Sequence, residues 1–358
     1  MTIVRKIGFY LAGLAMATLS ACGQIDDDLS DCSPAEEIQL DYEMKLITNM
    51  TTELQTQLNA VTEIEVTDAL KDHLSGVFRE FAHDVDLSFY DNEPDFVRLH
   101  HESHIMNDNS STYTLMLPMR DYMHVALANV NQNPNVGITN ADRYRAIALS
   151  QLEADTIDSH ETSLFTARQE MHVLGNVSHT FNVRLFMANC ATALVIDTTE
   201  VDFSSARAYA TGLATGFLVA DSTYIYPDHL PFVRAKQLEL SKESGKVAYS
   251  VVGFPSRNPE GWWFKETEEV ATRAEGEIIA EGTGDEGEVL WSMVIVVTLK
   301  NGNRTITYLT FRIPLLAGEL KIVKAKMSPK GEVLPHDVTV GMSVTLDWNE
   351  GLDFETEL

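Results

Sequence analysis

The sequence predicts a mainly β protein organised as two antiparallel β-sandwich domains in tandem. Three observations carry that expectation. Apolar residues recur with a period of two in segments spread along the whole chain, the pattern of half-buried strands. Lys300-Asn301-Gly302-Asn303 separates two such segments and marks a hairpin. The strands follow one another without the helical crossovers that βαβ units require. With 358 residues the chain has room for two domains of ordinary size, and no short-period repeat is visible.

The first strand is read from Ile38, Leu40, Tyr42, Met44 and Leu46, which alternate with Gln39, Asp41, Glu43 and Lys45. A helix capped by Thr67 is expected next, with Leu70, Leu74, Val77, Phe78 and Phe81 on one face. Val85, Leu87 and Phe89 alternate again. Tyr113 to Leu117 and Tyr122 to Val130 read as strands around Pro118, followed by an Asn-rich loop from Asn129 to Gly137 and a short helix from Ala141 to Leu152. A second set opens with Phe181, Val183, Leu185 and Met187, then a strand over Ala193 to Asp197, while residues 203–215 read as helix or loop. Met293 to Leu299 and Thr305 to Ile313 form the hairpin, whose Asn-Gly pair supplies the positive φ angles of a tight primed turn. Val338, Val340, Met342, Val344, Leu346 and Trp348 make the longest strict alternation. That strand either closes the chain's own second sandwich or is donated to a groove in a neighbouring subunit.

The N-terminus carries the most specific signal. Arg5 and Lys6 precede an apolar stretch from Ile7 to Leu19, which runs into Leu19-Ser20-Ala21-Cys22. That order is a lipoprotein signal peptide over residues 1–21, with the Cys22 thiol as the nucleophile that takes up diacylglycerol. An ordinary secretory leader with a chance cysteine is the alternative. Buried acyl chains gain about 0.8 kcal/mol per methylene, so a multiply acylated Cys22 holds a protein on a membrane without a spanning segment. Residues 22–36 form a tether opening on Gly23-Gln24-Ile25-Asp26-Asp27-Asp28, which resembles the surface-export signal of lipoproteins in Bacteroidia-type bacteria. A solvated spacer beside the membrane explains the same residues. With Cys22 acylated, Cys32 and Cys190 are left either to pair as a disulfide or to stand as two separate thiols.

Charge narrows the partners. Lys and Arg total 26 against 53 Asp and Glu, a net charge of −27, so no basic stripe is available to replace counterions and nucleic acid is excluded as a partner. Outside the N-terminus the longest apolar run, near Val289 to Leu299, falls short of the ~20 residues that cross a bilayer.

Candidates for chemistry are few. On a strand, His100, Glu102 and His104 face one side, as a zinc site or as a polar strand end. Three neighbours on one flat strand need a fourth ligand from elsewhere, and no metal is expected. Residues 266–288 are rich in Glu and Gly without the spacing of a Ca²⁺ loop. Trp262-Trp263-Phe264 reads as a sugar platform or a domain-packing plug. No Gly-x-Ser-x-Gly elbow, phosphate loop, dinucleotide fingerprint or His-Glu-x-x-His helix is present. Neither a cofactor nor an enzymatic activity is expected.

Several segments together resemble one family. Asp28-Leu29-Ser30-Asp31-Cys32-Ser33-Pro34 followed by Ile38-Gln39-Leu40-Asp41-Tyr42-Glu43-Met44 is similar to the start of the fimbrillin-associated anchor lipoproteins of type V pili, with Ser33 inserted before the proline. Val85 to Asp91 resembles that family's second strand. Tyr113 to Pro118 and Tyr122 to Ala126 resemble its strand pair around a turn, with Met119-Arg120-Asp121 in place of the expected glycine. Phe181 to Asp197 is similar to the start of its second domain and Val338 to Trp348 to its closing strand.

The resemblance implies transthyretin-like sandwiches over residues 37–177 and 178–358, no catalysis, an outer-membrane location through lipid on Cys22, and a fimbrial stalk subunit (fimbrillin) as partner. It also implies a role in anchoring the stalk and ending its growth. Stalk subunits of that system are activated when an Arg- or Lys-specific protease removes the first strand. Here residues 46–70 contain neither Lys nor Arg, so Ile38, Leu40, Tyr42, Met44 and Leu46 are expected to stay in place. Two other classes compete: a surface glycan-binding lipoprotein, resting on Trp262, Trp263 and Phe264, and a metal-dependent envelope hydrolase, resting on His100, Glu102 and His104.

Overall fold

A computed structural model of the chain describes residues 37–47, 50–59, 64–78, 82–92, 96–106, 112–151, 154–175, 179–229, 231–241, 244–258, 288–335 and 342–347. Cys22, Cys32, the Trp262-Trp263-Phe264 trio, residues 266–287, Val338, Val340 and Trp348 lie outside the described residues.

The described residues form four sheets. The first has seven strands: β1 (Glu37–Ile47), β2 (Asp84–Asp91), β3 (Arg98–Ile105), β4 (Thr112–Pro118), β5 (Asp121–Ala128), β9 (Phe165–His172) and β10 (His179–Met187), in the order β3-β2-β5-β9-β10-β1-β4. A four-stranded sheet is ordered β14-β13-β7-β6, from β6 (Val136–Thr139), β7 (Ala148–Gln151), β13 (Gly216–Leu218) and β14 (Thr223–Ile225). A five-stranded sheet, ordered β16-β17-β11-β20-β21, contains β11 (Cys190–Asp197), β16 (Lys236–Leu238), β17 (Lys246–Gly253), β20 (Leu320–Met327) and β21 (Val333–Pro335). A six-stranded sheet runs β22-β19-β18-β12-β15-β8, from β8 (Thr156–Asp158), β12 (Phe203–Thr211), β15 (Phe232–Arg234), β18 (Trp291–Leu299), β19 (Arg304–Phe311) and β22 (Met342–Asp347). Two helices, α1 (Met50–Asn59) and α2 (Ile64–Val77), follow the first strand.

The layers follow from which faces are apolar. Leu40, Tyr42, Leu87, Phe89, Leu115 and Leu185 on one face of the seven-stranded sheet share a core with Leu58, Leu70 and Leu74 of the helices. The same core continues to Ala191, Ala193 and Val195 on the five-stranded sheet, against which both helices pack. Leu194, Ile196 and Val251 on the opposite face of that sheet meet Ala208, Met293, Ile295 and Leu309 of the six-stranded sheet in a second core. Trp291 anchors that core, stacked on Phe311 at 4.0 Å with its indole N–H donating to the Ile313 carbonyl at 3.0 Å. Tyr90, Val125 and Leu127 on the remaining face of the seven-stranded sheet pack on Leu149 and Phe217 of the four-stranded one. β11 and β2 are therefore covered on both faces, and both are buried along nearly their whole length.

Several expectations need correction. The helix expected over residues 141–152 is a single 3-10 turn, Tyr144–Ala146, followed by β7. Its helix-forming alanines are overridden because Ile147 and Leu149 are buried and β7 is paired on both sides, by β6 and β13. Residues 203–211, expected as helix or loop, are β12, whose Ala206, Ala208 and Ala210 face the second core. α2 begins at Ile64 rather than at a Thr67 cap, and α1 is an additional helix between the first strand and α2.

In the hairpin, Gly302 alone takes a left-handed φ, of 84°. The Leu299 N–H donates to the Asn303 carbonyl at 2.9 Å, the Gly302 N–H to the Leu299 carbonyl at 3.0 Å and the Asn303 N–H to Oδ1 of Asn301 at 2.9 Å, which closes the loop. The connection is thus a longer loop with one glycine-dependent position, not a two-residue primed turn. The antiparallel expectation holds for most ladders, yet β1 with β10, β11 with β20 and β15 with β8 are parallel. The first of these matters most, because it places β10 within the first sheet, between β9 and β1.

Candidate functional site

The first strand occupies a groove between two others. On one side β1 runs parallel to β10, in register from Leu40 opposite His179 to Ile47 opposite Phe186. On the other it is antiparallel to β4, from Glu37 opposite Pro118 to Glu43 opposite Thr112. Among the described residues β4 is an edge strand whose only ladder is with β1. Removing β1 would therefore free β4 and open one edge of β10.

Alternation sets which side chains hold the strand. Leu40 and Tyr42 are fully buried and Met44 nearly so, while Ile38 and Leu46 pack on the rim of the same core. Each large apolar side chain fully removed from water contributes roughly 1.5–3 kcal/mol. Tyr42 adds a polar lock: its hydroxyl lies 2.6 Å from Nε2 of His124 on β5, and both groups are buried. His124 Nδ1 lies 3.1 Å from the Ser88 carbonyl of β2, which can only accept, so Nδ1 carries the proton and Nε2 accepts from Tyr42. The imidazole also stacks on Phe89 at 4.4 Å and meets the Tyr42 ring edge-on at 5.5 Å. Burial holds the His124 pKa down to about 3, against the smaller opposing effect of the Ser88 carbonyl, and pushes the Tyr42 phenol well above its ordinary value. Both groups are neutral across physiological pH, and three strands are tied through one hydrogen-bonded chain.

Basic residues near β1 are few. Lys45 is exposed but sits within the ladder, in register with Arg184 of β10. No Lys or Arg follows until Lys71, inside helix α2. A protease binds its substrate as an extended strand with free backbone groups; a helical residue is not extended, and a paired β residue has backbone groups engaged in its ladder.

Other sequence candidates separate. His100, Glu102 and His104 do share one side of β3: the His100 and His104 Nε2–H groups donate to the two oxygens of the Glu102 carboxylate at 2.8 and 2.7 Å. No metal-holding group of His, Cys, Asp or Glu occurs among the described residues. β3 is the other edge of the seven-stranded sheet, and these polar side chains on its core-facing side suit a guarded edge. Cys190 is a free, fully buried thiol directed at the Gly253 carbonyl at 3.4 Å, its pKa raised by burial. Met342, Val344 and Leu346 lie on β22, paired antiparallel with β19 of the same chain, from Phe311 opposite Met342 to Ile306 opposite Asp347. His124 was not singled out from the sequence. Its position on a strand was readable, but the register that sets it opposite Phe89 was not.

No protein-family profile matches the chain. No curated protein matches it either. Solved structures align along most of it at very low identity. The fimbrial anchor protein Mfa2 from Porphyromonas gingivalis aligns over 81% of this chain and 90% of that one, with 8% identity and a TM-score of 0.44. A fimbrial assembly protein from Parabacteroides distasonis aligns over 87% of this chain and 100% of that one, with 11% identity and a TM-score of 0.37. A candidate adhesin from Bacteroides ovatus aligns over 88% and 99%, with 11% identity and a TM-score of 0.47.

Proposed function

We propose that this chain is a non-enzymatic surface lipoprotein that anchors a fimbrial stalk to the outer membrane through Cys22 and ends the stalk's growth. The observation that carries this reading is the combination of a lipid-attachment box with a first strand built to stay. β1 is buried through Leu40, Tyr42 and Met44, locked through His124, and followed by no Lys or Arg over residues 46–70. A subunit that keeps this strand has its N-terminal groove filled from within and cannot accept a strand there from another subunit. Lipidated at one end and closed at the other, such a protein terminates a fibre.

The stalk subunit is the expected partner. Cys22→Ala is expected to abolish fatty-acid labelling and to leave an unprocessed precursor or a released protein. Fimbriae immunopurified from cells should carry the wild-type chain at their cell-proximal end, and fimbriae from the Cys22→Ala strain should be shed into the medium. Label that persists in the variant, or fimbriae free of this chain, would contradict the reading.

A further inference from the structure

On the outer face of the six-stranded sheet, away from the first strand and independent of the anchoring role, is a cationic concavity. Ser205, Arg207 and Tyr209 of β12, Val296 and Thr298 of β18, and Gly302 and Arg304 line a space of about 260 Å³. A β-bulge at Ser204 creates this arrangement. It shifts the register between Phe203 and Ser205, so Phe203 packs toward the second core while Ser205, Arg207 and Tyr209 all face outward. The Ser204 hydroxyl fixes the bulge by donating to the Thr298 carbonyl at 2.9 Å.

Ladder registers bring the two arginines to one place. Arg207 stands opposite Val296, and Arg304 stands opposite Thr298 on the far side of the same strand. With strands ~4.8 Å apart and a rise of ~3.3 Å per residue, their Cα atoms are roughly 12 Å apart. Both side chains are exposed and long enough to converge on one group between them.

Charge sets the pair apart from the basic residues held in ion pairs. In a chain with 53 acidic and 26 basic residues, Arg98, Arg120, Arg234, Lys300 and Lys326 each have a carboxylate within 3.1 Å. Arg207 and Arg304 are in no ion pair among the described residues. The nearby acid Asp202 is engaged by Lys300 at 3.1 Å.

We infer that this concavity is a binding site for a sugar-sized ligand bearing a single acidic group, a uronate or a sulfated sugar within an otherwise neutral glycan. Two guanidinium groups read a planar or tetrahedral oxyanion through paired charge-assisted hydrogen bonds. The Ser205 and Thr298 hydroxyls beside them suit a sugar's own hydroxyls. The space is smaller than the ~300–1,000 Å³ of drug-sized pockets, which fits one ring. A polyanion is disfavoured, because a chain of like charges meets the field of a protein of net charge −27.

Calorimetric or NMR titration of the full mature chain at fixed ionic strength, with glucuronate, glucose and inorganic sulfate as probes, tests the site. Saturable binding of glucuronate with a dissociation constant on the order of 1 mM is expected, with no binding of glucose. Arg207→Ala and Arg304→Ala should each weaken it at least about tenfold, while Lys326→Ala, which removes equal charge elsewhere, should not. Because both arginines are exposed, unchanged thermal unfolding of the variants separates lost binding from lost fold. The inference is overturned by absence of saturable glucuronate binding, by equal affinity for inorganic sulfate, or by retention of binding in both arginine variants.

Discussion

Leu40→Ala is expected to destabilise the protein by about 2–5 kcal/mol. The side chain is fully buried at the centre of β1, with β10 on one side and β4 on the other, so alanine leaves a cavity that flanking strands cannot collapse without breaking a ladder. Met116→Ala, on the neighbouring β4 and 44% exposed, supplies the control and should change stability by less than about 0.5 kcal/mol. Urea unfolding of the two variants measures the contrast. A Leu40→Ala midpoint equal to that of Met116→Ala would mean that β1 is a dispensable edge rather than an integral core strand.

Acid is expected to weaken the fold through two buried imidazoles. Burial lowers His124 and His160 to about 3, while an unfolded histidine titrates near 6.5. Below that value the unfolded chain binds more protons than the folded one, so the stabilisation is complete above about pH 6.5 and is lost progressively toward pH 3. Well below pH 6.5 each pH unit removes up to about 1.4 kcal/mol per group, and between pH 6.5 and 5 the pair loses about 3 kcal/mol. His73, half-buried and lowered to about 4, acts in the same direction, and Asp84, raised by burial, opposes it. The shrinking negative charge opposes it as well, equally in wild type and in a single variant. His124→Phe keeps a ring against Phe89 but cannot titrate, so its stability should fall less steeply with acid. Identical slopes for wild type and variant would refute the assignment.

How much was readable from the sequence depended on whether a segment's own pattern decided its state. β1 was legible because Ile38, Leu40, Tyr42, Met44 and Leu46 alternate strictly with polar residues, and the burial of the strand follows that alternation. The hairpin of β18 and β19 was legible from the turn residues Lys300-Asn301-Gly302-Asn303 between two apolar segments, although the backbone places only Gly302 in the left-handed region. β12 was hidden because alanine and serine at 204–210 favour helix locally, and only the facing residues Met293 and Ile295 make a strand of them. α1 was hidden in a run of Thr and Gln with a weak apolar face, closed by packing against β20. The lock on β1 was out of reach altogether. Tyr42 and His124 lie 82 residues apart, and their contact depends on a parallel pairing with β10 that no local signal announces.

The site's logic divides in the same way. The Cys22 box and the absence of Lys and Arg from residues 46–70 are properties of the sequence itself. What the fold adds is the setting of the two basic residues that bound that stretch: Lys45 is held in a ladder and Lys71 in a helix. The cationic concavity, by contrast, had no sequence signature, since Arg207 and Arg304 meet only through the registers of β12, β18 and β19.

The central claim, that the chain keeps its first strand and so ends a fibre, is tested most directly by mass spectrometry of the protein isolated from cells. The account predicts one dominant species that begins at an acylated Cys22 and contains Glu37–Ile47 intact. A dominant species beginning between Leu46 and Glu80 would contradict it, because the protein would then lose β1, expose its groove and behave as a polymerising stalk subunit.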